Sequence, residues 1–137
     1  LTLPHAALAI AEASGDPQRA IDIAATYDLG FRATQSAGAI DPNWQPQPPA
    51  HIDADAALEA GPDTAAAYAW HATNSERSAL TRAIVDYAAA HREAHLAKYT
   101  VAAFHAARLD PAAAHLFGAA SAYLAAWWHQ HDNNNPT

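Results

Sequence analysis

Residues 75–108 read SERSALTRAIVDYAAAHREAHLAKYTVAAFHAAR, with no Gly or Pro among them. Alanine fills most gaps between the larger residues, and such a stretch predicts one long helix. At about 100° per residue, Leu80, Ile84, Tyr87, His91, His95, Lys98, Ala102 and His105 fall on one stripe. That stripe is apolar in its first half and carries three histidines and a lysine in its second. Polar groups on a face turned to the core must be paired, ligated or part of a site. The second half of the stripe is therefore where function is expected.

Working outward, 137 residues make one domain by length, with a real but modest core. The 51% hydrophobic content overstates that core, because much of it is alanine, which buries little area. Four Trp, five Tyr and three Phe must supply much of the burial. A net charge of −7 argues against nucleic acid, since no basic patch exists to neutralise phosphates. Without Cys there is neither a disulfide framework nor a thiolate metal site. No apolar run approaches the roughly 20 residues a membrane span needs, so no membrane partner is expected. There is no Met, and residues 1–13 lack the basic start of a signal peptide. The chain reads as a fragment, a processed product or a segment of a longer polypeptide, with the cytoplasm the expected location. Lys98 is the only lysine beside six arginines, and the one survivor sits on the apolar stripe.

Helix signals recur along the rest of the chain. Residues 4–14 read as a short helix with Pro4 in its first turn and Gly15 past its end. Asp16-Pro17 is an N-cap and N1 proline, opening a helix to about Leu29 that Gly30 stops. Its apolar positions are Ala20, Ile21, Ala24, Tyr27 and Phe31, and a weaker helical stretch spans 32–37. Residues 41–52 place Pro42, Pro46, Pro48 and Pro49 around Trp44, which excludes helix and predicts an extended connection or a lid pinned by Trp44. Asp53 or Asp55 caps a helix to Ala60, and Gly61-Pro62-Asp63 separates it from a helix over 64–72. Asp110-Pro111 opens the last helix, to about Gln130, with Leu116, Ala120, Tyr123, Leu124 and Trp127 as its apolar face. Residues 132–137 form a polar, frayed tail. The expected fold is all-α: a single domain over 1–137, a helical bundle of about five to seven helices with one long central helix and a Pro-rich linker.

The chemistry concentrates on His91, His95 and Lys98, whose spacings of four and three put them within a roughly 60° arc. Two His at i and i+4 can share one metal ion. A polar face of stacked histidines is the plainer reading of the same spacing. The string is not a zinc-protease helix, because in His91-Arg92-Glu93-Ala94-His95 the Glu is third rather than second. On a continuous helix Glu93 points away from the ligands, and both it and Asp86 read as solvated. His5 is far off in sequence but placed to converge on the long helix. His71 ends a helix beside Trp70, and His105 extends the stripe, while His129 and His131 read as a solvated terminus. No nucleophile elbow or Gly-rich phosphate loop is present.

The stretch His95-Leu96-Ala97-Lys98-Tyr99-Thr100, followed by Ala102-Ala103 and Asp110-Pro111, resembles the C-terminal part of the questin oxidase-like family. The Ala-rich helix with Leu124 and Trp127 is similar too, as is the opening Leu3-Pro4-His5-Ala6. The resemblance implies a helical, metal-dependent oxygenase acting on an aromatic polyketide-like small molecule. It implies non-haem iron, or another divalent metal, held by His95, His5 and a Lys98 carboxylated by CO₂. His91 and His71 are possible substitutes for ligands that the resemblance places in a half this chain lacks. Tyr99, Trp70 and Phe104 are candidates to line the aromatic substrate pocket. A lysine neutralised by burial can take up CO₂ as an anionic oxygen ligand, which is the physical basis of that expectation. A second chain or fragment, or a homo-oligomer, would supply the rest. The alternative is a non-catalytic helical partner completing a longer protein's fold and docking through Trp127-Trp128. A helical binder of a small apolar ligand is the third reading.

Overall fold

The computed structural model describes residues 2–35, 41 and 43–134, with the side chains of 2–5, 8, 31, 32, 35, 133 and 134 left aside. The described residues form seven α-helices and one 3-10 turn, and no strand. The all-α expectation holds. The chain divides into two compact units, Leu1–Trp44 and Gln45–Thr137, so the boundary falls inside the Pro-rich stretch.

The first unit is a pair of helices, α1 (Thr2–Ser14) and α2 (Pro17–Gln35). Gly15 turns the chain at φ +68°, a left-handed conformation that favours glycine, and its N–H closes on Ala11 O at 3.1 Å. Asp16 Oδ1 then accepts from the Arg19 amide at 3.1 Å, the expected N-cap. Gly30 does not stop α2, which runs through it to Gln35. An isolated glycine weakens a helix by about 1 kcal/mol but does not end one that its neighbours support. Among the described side chains of this unit the buried ones are Ala7, Ala11 and Ala20, while Ile10, Ile21, Ile23, Tyr27 and Leu29 stay exposed. Phe31, expected among the apolar positions of α2, and residues 36–37 lie outside the described side chains and residues.

The second unit contains α3 (Ala54–Ala60), α4 (Pro62–His71), α5 (Asn74–Ala90), α6 (Ala94–Leu109) and α7 (Ala114–Asn134), with the 3-10 turn Pro111–Ala113 before α7. Side chains cap the starts of α3, α5 and the 3-10 turn. Asp53 accepts from the Ala56 amide at 2.8 Å. Thr73 and Glu76 form a reciprocal capping box on α5. Asp110 accepts from the Ala113 amide at 3.3 Å. Gly61, at φ +115°, joins α3 to α4 where a Cβ would lie 2.6 Å from Gln130 Nε2 of α7.

α7 packs most extensively on α4 and also touches α3, α5 and α6. The core joins Leu58, Tyr68, Leu80 and Ile84 to alanines from α3, α4 and α7, including Ala57, Ala65, Ala122 and Ala126. The buried face of α7 is thus made of Ser121, Ala122, Ala125 and Ala126, not of Leu116 and Tyr123, which are exposed. Small residues let the helix axes approach, so the alanine stripe turns inward and the larger residues flank it.

The single helix expected over 75–108 is two helices. Residues 91–93 leave the helix, with His91 at ψ 139° and Glu93 at ψ 103°, both extended. The stripe changes phase across that break: Leu80 and Ile84 are buried on α5, but Leu96, Thr100, Ala102 and Ala103 are the buried residues of α6. The Pro-rich connection is fixed by His71 Nε2, which donates to Pro46 O at 2.7 Å, while Trp44 is exposed and does not pin it. Residues 48–52 form one wall of a shallow cleft of about 120 Å³ against Tyr68, His71 and Glu76. Among the described residues no helix is long and apolar enough to cross a membrane.

Ile84 is fully buried and Val85 exposed on the same helix. Ile84→Ala is expected to destabilise by about 2–5 kcal/mol in urea unfolding, and Val85→Ala by less than about 0.5 kcal/mol.

Candidate functional site

The chain break at 91–93 organises the polar groups on which function was expected. His91 caps the C-terminus of α5, and its side chain is only 4% exposed. Its Nδ1 accepts the Glu93 N–H at 3.0 Å, so the ring proton sits on Nε2, which donates to Asp132 Oδ2 at 2.8 Å. Tyr87 OH donates to the same oxygen at 2.8 Å. The Tyr87 hydrogen bond, with help from His91 and Arg92, holds the Asp132 carboxyl below its usual range against the opposing effect of burial. Burial first, then the bond to Asp132 and its charge, pushes the Tyr87 hydroxyl well up. Trp128 and His129 of α7 complete the cluster: ring centroids lie 5.2 Å apart for His91 and Trp128 and 4.9 Å apart for Tyr87 and His129. Both nitrogens of His91 are consumed, so this ring is a tether between helices rather than an open ligand.

Beyond the break, Glu93 is the N-cap of α6, and the expectation that it is merely solvated is overturned. Its Oε1 accepts the His95 backbone N–H at 3.0 Å and His95 Nδ1–H at 2.5 Å. Those two bonds, the backbone one first, lower the Glu93 carboxyl from its usual value. A carboxylate on Nδ1–H fixes the tautomer in which Nε2 carries the lone pair. The His95 side chain is 71% exposed, and its Nε2 has no hydrogen bond among the described residues. Lys98 follows at i+3 and Tyr99 at i+4, which places all three on one side of α6. Lys98 is exposed and Tyr99 half-buried.

The expectation of a buried His91–His95–Lys98 stripe therefore needs correction. Only His91 is turned inward; His95 and Lys98 face solvent, because the break rotates α6 and puts Leu96 and Thr100 inside. Lys98 stands in solvent, so the described residues supply none of the desolvation that a carboxylated lysine needs. His71 is spent on Pro46 O, and His105 is half-buried and engaged. The side chain of His5 lies outside the described residues. Of the aromatic candidates, Trp70 meets His115 edge-on at 4.4 Å and Phe104 packs against the core, leaving Tyr99 beside His95. Among the described residues no group of three or more His, Asp or Glu is disposed to hold a metal ion. Trp127 and Trp128, expected as a docking face, are half-buried and packed edge-on, with Trp127 stacked on His131 at 3.6 Å.

The residues missed were Glu93 and Asp132. An acidic residue one place before Ala94-His95 is an N-cap signal, visible once a break at 92 is admitted. Asp132 sits seven residues after Ala125, in phase with the buried face of α7, which runs to Asn134 rather than fraying at 130. No family model, no curated protein and no solved structure matches the chain.

Because its folded value is depressed, the Asp132 carboxylate stabilises the fold fully above its unfolded value and loses that contribution as pH falls through the folded one. Asp132→Ala is expected to lower the urea midpoint at pH 7. The gap to the natural chain should narrow steadily below about pH 4. A gap that widens on acidification would contradict the assignment.

Proposed function

We propose that this chain is a helical segment of a metal-dependent oxidoreductase of the questin oxidase-like kind, an oxygenase acting on a small aromatic molecule. The observation that carries the reading is the Glu93–His95 pair. A carboxylate that takes Nδ1–H turns Nε2 outward as a lone-pair donor, the arrangement typical of metal-bound histidine. Lys98 stands one turn further along the same side of α6.

The fit of these residues to a metal is partial. His95 offers one donor, and Lys98 offers a second only if another polypeptide covers this side of α6 and withdraws the amine from water. Further donors would come from that covering segment or second chain. Iron, when bound, would supply the activation of O₂. This chain's own share is to hold the His95 tautomer through Glu93 and to set Tyr99 as an aromatic wall beside it.

A second reading, a non-catalytic helical partner that completes a longer protein's fold, is favoured by α1 and α2. On their helical phases Ile10, Ile23 and Tyr27 flank the alanine seam on one side, and all three are exposed. The two readings share a need for a second polypeptide surface and differ in whether metal is bound.

Metal analysis of protein purified from a native-like host separates them. His95→Ala should abolish iron content, Lys98→Ala should reduce it, and Glu93→Gln should weaken affinity about 10–100-fold. Equal metal content in all four proteins, or none in any, would leave the partner reading alone.

A further inference from the structure

We propose that Tyr87, His91 and Asp132 form a positioning device that holds the break between α5 and α6 open and thereby sets the Glu93–His95 pair. Residues 88–94 contain no helix breaker, so the local preference is to continue. In a continuous helix the Glu93 amide would bond to the carbonyl of Ala89. Here the His91 ring takes that amide instead, through Nδ1 at 3.0 Å. Nδ1 can accept only while the ring proton resides on Nε2, and the Asp132 carboxylate keeps it there.

The break has a second consequence. Residues two apart on a helix point to opposite sides, so an unbroken helix would carry the Glu93 carboxylate away from His95. With Glu93 extended at ψ 103°, its Oε1 reaches both the His95 amide and Nδ1–H. A chain of contacts therefore runs from Asp132, through the tautomer of His91 and the Glu93 amide, to the lone pair on His95 Nε2. Tyr87 anchors the near end by donating to the same Asp132 oxygen and packing its ring 5.3 Å from that of His91. The use of this device in metal binding rests on the function proposed above; the device itself does not.

The test is NMR on the full ¹⁵N-labelled chain, reading the His95 ring tautomer and the exchange rate of the Glu93 amide. The natural chain should show His95 predominantly as the Nδ1–H form and a protected Glu93 amide. In Asp132→Ala, His95 should shift toward the Nε2–H form that free imidazole favours, and the Glu93 amide should exchange at least about tenfold faster. The Leu80 and Ile84 amides should speed up only by the factor that the loss of global stability sets, and by less than the Glu93 amide. Tyr87→Phe, which leaves the His91–Asp132 bond, should show a smaller change in the same direction. Should Asp132→Ala fail to fold, His91→Phe keeps an aromatic ring without either nitrogen and should give the same two changes.

An unprotected Glu93 amide in the natural chain overturns the proposal with no variant required. So does a folded Asp132→Ala or His91→Phe in which the His95 tautomer is unmoved while Glu93→Gln moves it. A tautomer response in a protein that takes up no metal leaves the device standing and removes the metal reading. Metal uptake without that response does the reverse.

Discussion

One carboxylate oxygen, Asp132 Oδ2, receives both the Tyr87 hydroxyl and the His91 ring, and the geometry of the polar residues depends on it. The two donors come from the C-terminal end of α5 and the acceptor from the last turns of α7, residues more than 40 positions apart in the chain. A buried imidazole without partners would cost more than the bonds return, so the cluster is stable only as a whole. It converts a stretch with every local reason to be one helix into two helices with different inward faces.

That change of phase decides what each polar residue can do. On α5 the stripe Leu80, Ile84, Tyr87 and His91 goes inward, and His91 is used up as a tether. On α6 the inward residues are Leu96, Thr100 and Ala103, which leaves His95 and Lys98 in water. The packing around them is built on small residues. Ile84 and Leu96 are the largest side chains buried almost completely, and alanines make up most of the remaining core. Close helix approach through alanine leaves many larger apolar residues uncovered, on α1 and α2 above all. The uncovered apolar faces and the oriented but exposed His95 donor are the features on which the proposal of a second polypeptide surface rests.

Much of the architecture was legible because it rests on local chemistry. Asp16-Pro17, Asp53, Gly61-Pro62 and Asp110-Pro111 mark helix starts by orphan amide satisfaction and fixed φ, and each lies where a helix begins. The Pro-rich stretch holds the boundary between the two units. Errors arose where a local rule had a nonlocal competitor. Gly30 has the local chemistry of a helix stop, yet its helix continues. Helical spacing places Leu116 and Tyr123 on the apolar face of the last helix, yet the alanine stripe beside them packs closer. The site was least legible: Glu93 was set aside because helical spacing points it away from His95, and that spacing does not apply across the break.

The sequence by itself determined the all-α class, the helix count to within its expected range, the caps Asp16, Asp53 and Asp110, and the absence of thiol chemistry. These follow from alanine's helix propensity, the positions of Pro and Gly, and composition, none of which needs a distant contact. Only the tertiary structure decided that residues 91–93 leave the helix, that Asp132 is a structural acceptor, and that Lys98 stands in solvent. The reason is physical: a histidine ring took the place of a backbone carbonyl, and the carboxylate that fixes its tautomer lies on another helix, 41 residues away.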